Sequence, residues 1–214
     1  MAVKFIDHIT GGWLGFWEIS EDTGELLEWL NPRKEELELF SNFRNEQRKK
    51  EWLAARLLLR QMAGPDARIK YTTRGKPILE GAEGYISISH TAGCVVIFLH
   101  PTCQPGIDIE SVDRNVERPA KKFLSEGELI DCTVNGQLVN KELILRWCAK
   151  EAVFKMIPHS DIDFSNQIRC VVQTVTSSEG NFHAYFTESG NTVKLPLQYK
   201  LIGNLVVVWG ILTP

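Results

Sequence analysis

The sequence predicts an α+β protein built as two similar halves. Three observations carry this. The chain has 214 residues, 43% hydrophobic and 24% charged, which is the mix of a soluble globular protein large enough to bury a core. Runs with the period of two expected of strands alternate with long stretches of helix formers. The order strand, helices, antiparallel strands then occurs twice, on either side of a short connector at 101–105 bounded by prolines. The expected halves are 1–104 and 105–214, although they share little obvious sequence.

The first half opens on a strand at 13–19, rich in Trp, Leu, Phe and Ile. Asn31-Pro-Arg-Lys-Glu-Glu36 then starts a helical region, with Pro32 near its first turn. A long helix is expected over 46–62, stopped at Ala63-Gly-Pro65. Arg74-Gly-Lys-Pro77 is a basic turn. Tyr85-Ile-Ser-Ile-Ser-His90 alternates as a strand, and Thr91-Ala-Gly93 turns it into a second one at 94–99. In the second half, a strand at 106–110 is followed by helices at 116–130 and 139–157. Strands are expected at 167–175, 181–186, 193–201 and 205–212, with hairpin turns at Ser177-Ser-Glu-Gly180 and Gly203-Asn204.

Charge and composition exclude several classes. With 24 basic and 27 acidic residues the net charge is −3, which gives no electrostatic footprint for nucleic acid. The longest apolar run, 94–99, is far short of the roughly 20 residues that span a bilayer. The first residues lack the apolar core of a signal peptide. Five cysteines, at 94, 103, 132, 148 and 170, are odd in number and never spaced C-x-x-C. Reduced thiols in a cytoplasm are therefore expected, rather than a zinc cluster or a disulfide framework. Cys148 reads as a small core residue, and a lone reactive cysteine with a histidine partner stays open.

The candidate chemistry starts on the strand Gly106-Ile-Asp-Ile-Glu110. Residues i and i+2 share a face, so Ile107 and Ile109 are expected to face the core, with Asp108 and Glu110 together on the other side. Two carboxylates so placed repel unless a positive charge lies near. A divalent cation satisfies both, and a solvated strand edge is the plain alternative. On the helix that follows, Leu145, Cys148, Ala149, Ala152, Val153 and Met156 form one apolar stripe. Glu151 and Lys155 then fall on one flank, about 40° apart, with Lys150 on the opposite flank. They read either as an i,i+4 surface pair or as a third carboxylate with a lysine for a phosphate. Trp147 and Phe154 face away from the stripe, toward further packing or a ligand tunnel.

Gly106-Ile-Asp-Ile-Glu110, followed about 36 residues later by Trp147-Cys-Ala-Lys-Glu-Ala-Val-Phe-Lys155, resembles the signature pair of the 4′-phosphopantetheinyl transferase superfamily. Phe123-Leu-Ser-Glu-Gly-Glu128 between them is similar to a further family segment. Upstream, Glu51-Trp-Leu-Ala-Ala-Arg56, Arg74-Gly-Lys-Pro77 and Ile86-Ser-Ile-Ser-His-Thr91 resemble elements of the longer members, the surfactin-synthetase-activating type. The resemblance runs from about residue 48 to 155, so the first 40 and last 50 or so residues carry no motif.

The resemblance implies a cytoplasmic monomer whose two halves form a pseudo-twofold, dimer-like unit with the active site between them. It implies transfer of phosphopantetheine from coenzyme A to a serine of an apo acyl- or peptidyl-carrier protein, releasing 3′,5′-ADP. Asp108, Glu110 and Glu151 would hold Mg²⁺, and Glu151 or a metal-bound water would take the serine proton. Lys155 would meet the phosphoryl group. Lys76 and His90, with Ser89, would bind the 3′-phosphate of coenzyme A. Arg48 and Arg56 are further candidate contacts, each with a structural alternative, and Arg74 is weaker. His8, His100, His159 and His183 match nothing. A Mg²⁺-dependent nucleotide pyrophosphate hydrolase and a non-catalytic coenzyme A or carrier-binding relative are the competing functions.

Overall fold

The computed structural model describes residues 3–91, 93–158, 161–172 and 177–213. Helices and sheets are mixed, as an α+β class requires. The chain divides into two compact units, Met1–Thr102 and Cys103–Pro214. Among the described residues, no helix is long and apolar enough to cross a membrane.

Unit 1 runs β1 (Val3–Ile9), β2 (Gly12–Glu18), α1 (Thr23–Leu30), α2 (Lys34–Ser41), α3 (Glu46–Ala63), β3 (Arg68–Tyr71), β4 (Pro77–Glu80), β5 (Tyr85–Thr91) and β6 (Cys94–His100). Four strands form an antiparallel sheet in the order β1-β2-β6-β5. The long helix α3 lays Leu53, Ala54, Leu57 and Leu58 against Trp17, Val95 and Ile97 of that sheet. Three elements were not expected: β1, α1 and the β3–β4 hairpin. α1 nevertheless has a local cause, a capping box in which Asp22 and Glu25 each bond the other's backbone N–H. The basic turn at 74–77 is the tip of the β3–β4 hairpin.

Unit 2 runs β7 (Gln104–Ser111), α4 (Glu117–Phe123), α5 (Glu126–Asp131), β8 (Thr133–Val134), β9 (Gln137–Leu138), α6 (Asn140–Met156), α7 (Phe164–Gln167), β10 (Ile168–Val171), β11 (Glu179–Glu188), β12 (Asn191–Ile202) and β13 (Leu205–Leu212). Five strands pair antiparallel in the order β10-β11-β12-β13-β7. The helix expected over 116–130 is two, because Leu124 is extended and Ser125 caps a new start. The strand expected over 167–175 begins at Ile168 and ends at Val171, after the single turn of α7, and 173–176 lie outside the described residues. His159 lies outside them too. The tiny β8–β9 hairpin was not expected.

α6 packs along the sheet with Ala149, Ala152, Val153 and Met156 in a cluster that includes Ala184, Leu195, Val206 and Val208. Its C-terminal turns sit directly on β7. A Cβ on Gly106 would overlap the Ala152 carbonyl oxygen and stand 2.6 Å from Met156 Cγ. Gly210, the register partner of Gly106 on β13, also lies under the Met156 side chain. No side chain fits at either position, which is the physical reason a glycine opens the acidic segment.

One expectation fails here. Asp108 and Glu110 were expected to face away from the core, but in register they share the face of Val208 and Val206, onto which α6 packs. Ile107 and Ile109 take the opposite face with Trp209 and Val207, and are buried as well. A strand buried on both faces has no polar side, so alternation alone could not tell which face met the helix.

Candidate active site

β7 and α6 together build the acidic centre. Asp108 and Glu110 are 6% and 8% exposed, so neither is a solvated edge acid. Lys155, near the end of α6, donates to Asp108 Oδ1 at 2.7 Å and to the Ile107 carbonyl at 2.9 Å. Its ion-pair partner is thus on the strand, not Glu151 one turn away, and the i,i+4 surface reading is corrected. Glu110 accepts the Ser111 N–H at 2.9 Å and is ion-paired with the Arg114 guanidinium. Burial pushes the Glu151 carboxyl above its ordinary range, and the negative charge of Asp108 pushes the same way. Lys155 and Arg114 pull against that rise.

Cys148 lies under these acids, with its thiol directed at the Val206 carbonyl at 3.8 Å. Burial first, then Asp108 and Glu110, push that thiol well above its usual range. It stays protonated and packs as a core residue, which answers the reactive-cysteine alternative at this position. Among the described residues, no cysteine is in a disulfide.

The flanks of α6 are fixed by a second polar set. Lys150 is fully buried, donating to Glu128 Oε2 at 2.7 Å and to the carbonyls of Phe164 and Ile168 at 2.8 and 2.6 Å. Glu128 in turn accepts from Ser125 and from the Cys170 backbone N–H. Lys150, left open between a phosphate and an acid, therefore has an acid partner. Trp147 packs edge-on against Phe123 at 5.0 Å, and Phe154 against Phe164 at 5.7 Å. Both extend the packing of α6 within its own unit.

Unit 1 gathers part of the remaining candidates. His90 on β5 meets α3, where Glu51 lies 3.0 Å from its Nδ1 and 3.1 Å from the Arg48 guanidinium. Gln47 also donates to Glu51, at 3.3 Å. Arg48 and His90 are in direct contact. Ser89 is buried on the opposite face of β5 from His90. Lys76 is anchored at the β3–β4 turn through its backbone N–H to the Thr72 hydroxyl, at 3.0 Å. Burial lowers its ammonium pKa from the usual value. Arg56 takes another course. It is 3% exposed, stacks on Trp52 at 3.4 Å and pairs with Glu36 across to α2. Desolvation brings it down to about 10, against the pull of Tyr71 and Glu36. Two helical turns separate it from Arg48, and its contacts are those of a helix-packing residue.

With this geometry in view, the family comparison is decisive for the second unit. The sequence profile of the 4′-phosphopantetheinyl transferase superfamily matches residues 104–206. That segment belongs to the 4′-phosphopantetheinyl transferase superfamily. The match holds β7, α6 and every residue of the acidic centre. No curated protein matches the chain. Phosphopantetheine transfer is the general activity of the superfamily, and the match to residues 104–206 supports a transferase.

Sequence reasoning passed over three residues that the superfamily segment and unit 1 use. Glu128 was quoted only inside a motif, although Ser125-x-x-Glu128 is a capping-box pattern. Arg114 lies four residues beyond Glu110, and Glu51 three beyond Arg48, spacings that bring side chains together only once the local backbone is known.

The raised Glu151 carboxyl has a consequence for stability. Between its ordinary value of 4.5 and its higher folded value, the folded chain binds more protons than the unfolded one. The contribution of this group is therefore present in acid and lost as pH rises through the folded value. With a chelator present, Glu151→Gln should match wild type in urea midpoint near pH 4 and exceed it at pH 8. Equal midpoints at both pH values would show a carboxyl that does not feel its burial.

Proposed function

We propose that the chain, acting as a cytoplasmic monomer, transfers 4′-phosphopantetheine from coenzyme A to a serine of an apo acyl- or peptidyl-carrier protein, with Mg²⁺, releasing 3′,5′-ADP. The observation that supports this best is the meeting of Asp108, Glu151 and Lys155 where α6 rests on β7, with Glu110 on the same face of that strand. Among the described residues, no three acids, histidines or cysteines stand ready-made as a metal cage. The donor set is all carboxylate, with the one nearby thiol held protonated, which fits a hard, oxygen-seeking cation. Mg²⁺ commonly takes one or two carboxylates and completes its shell with water and substrate phosphates. Asp108, Glu110 and Glu151 would hold it, and it would supply charge to the phosphoryl oxygens.

The chain's own groups supply the rest. Lys155, 24% exposed at its side chain, is positioned to exchange Asp108 for a phosphoryl oxygen and to offset its negative charge. Glu151, with its affinity for protons raised, is suited to receive the serine proton as the hydroxyl attacks. In unit 1, His90 and Arg48, held by Glu51, together with Lys76, are the groups we assign to the 3′-phosphate of coenzyme A, and Ser89, buried on the other face of β5, is left out. Arg56 is left out because a phosphate contact would strip it from Trp52 and Glu36.

Mass spectrometry of apo-carriers incubated with the chain, coenzyme A and Mg²⁺ tests the proposal. One phosphopantetheine per carrier, with 3′,5′-ADP formed only when carrier is present, is the expected result. Release of 3′,5′-ADP without a carrier would identify a hydrolase, and binding without any product a non-catalytic relative.

A further inference from the structure

Arg114 stands in a place that the acidic centre does not explain. Its guanidinium pairs with Glu110, a carboxylate assigned above to the cation. It also lies over the Trp147 ring, 5.3 Å from the centroid. It is close enough to Glu151 for its charge to act there. The side chain is about half exposed, at 50%, while that of Glu110 is 10% exposed. A half-exposed cation is thus paired with a mostly buried acid.

The backbone that carries it needs no help from this pair. Arg114 N–H donates to the Ser111 carbonyl at 3.1 Å. Asn140 Nδ2, at the start of α6, donates to the carbonyls of Val112 and Arg114 at 2.6 and 2.9 Å. Asn204 holds the turn from the other side, accepting the Val112 N–H at 2.8 Å and donating to Asp113 at 2.6 Å. The turn 111–114 is therefore fixed by its main chain, and the guanidinium is free to change partners without moving it.

Resting on the metal reading above, we propose that Arg114 is an exchangeable counter-ion of the acidic centre. It neutralises Glu110 in the metal-free chain and gives that carboxylate up when a divalent cation enters. Lys155 does the same duty for Asp108 from the helix side. Two unit charges then occupy the acids that one divalent cation would otherwise balance. A cation arriving at Glu110 must displace the guanidinium, because both seek the same oxygens and repel one another. Displacement also lifts the guanidinium from the face of Trp147, which gives the exchange an optical signature. Arg114 is a positioning residue: it keeps Glu110 aimed until the cation arrives.

The test is Mn²⁺ binding to the full chain without coenzyme A or carrier, followed by electron paramagnetic resonance and by tryptophan emission. Arg114→Gln should bind Mn²⁺ about two- to fivefold more tightly than wild type, the size expected for losing an exposed competing pair. Arg114→Lys, which restores a competing charge, should return toward the wild-type constant. In wild type, Mn²⁺ should change the emission component that Trp147→Phe removes, and Arg114→Gln should lose that change. Unchanged or weaker Mn²⁺ binding in Arg114→Gln, with wild type binding normally, would overturn the exchange and leave the metal site standing. Absence of Mn²⁺ binding in wild type would overturn both.

Discussion

Glu128→Gln should cost unit 2 about 3–5 kcal/mol of stability, the range seen when one partner of a buried ion pair is removed. Lys150 is fully buried and Glu128 is 2% exposed, so water cannot replace the lost charge. The two carbonyls of Phe164 and Ile168 would remain around the ammonium, but neither carries a full negative charge. The same glutamate caps α5 and accepts the Cys170 N–H, so one substitution loosens α5, α6 and β10 together. Adding Lys150→Met should recover much of the loss, since a buried pair replaced by apolar groups of similar volume is often close to neutral. Urea unfolding of the two single variants and the double variant measures the coupling. A loss under about 1 kcal/mol for Glu128→Gln would mean that water reaches Lys150.

Asp108→Asn should lower carrier modification by about 10²–10⁴-fold while the fold survives, the effect of losing several kcal/mol of charge stabilisation at a phosphoryl centre. Asparagine keeps a carbonyl oxygen for Lys155, and Lys155 keeps the Ile107 carbonyl, so the helix stays anchored to the strand. What disappears is a buried negative charge beside Glu151. Turnover with Mg²⁺ and the urea midpoint, measured side by side, separate the two effects. Turnover near wild type would remove Asp108 from the metal site.

The parts of this protein that could be read from sequence are those whose cause is local. The long helices α3 and α6 were expected from their helix formers, β5 and β7 from alternation, and β6 as the strand that follows the turn at 91–93. Glu151 and Lys155 were placed on one flank by geometry alone, and Lys155 does reach the acidic centre. The misses at the acidic centre and around Arg56 share a cause, which is dependence on distant chain. The partner of Lys155 is Asp108, 47 positions away, rather than its helical neighbour. The face of β7 that carries the acids is decided by where α6 lies, and both faces are buried. Arg56 looked like a candidate phosphate contact until Trp52 and Glu36 were seen around it. β1 and the β3–β4 hairpin are local pairings that carry too little alternation to be read: β1 pairs with the adjacent β2, and β3 with β4.

Where Gly106 and Gly210 let α6 settle on the sheet, main chain meets main chain: the Ala152 carbonyl rests on the glycine strand with nothing between them. The spacing at Gly106 is thus set by the Ala152 main chain, and the Met156 side chain fills the room left over Gly106 and Gly210. Swaps among Val, Leu, Ile and Met elsewhere in this core can alter melting behaviour while leaving the span from Asp108 to Lys155 as it is. A side chain added at either glycine would instead push α6 off the sheet and widen that span.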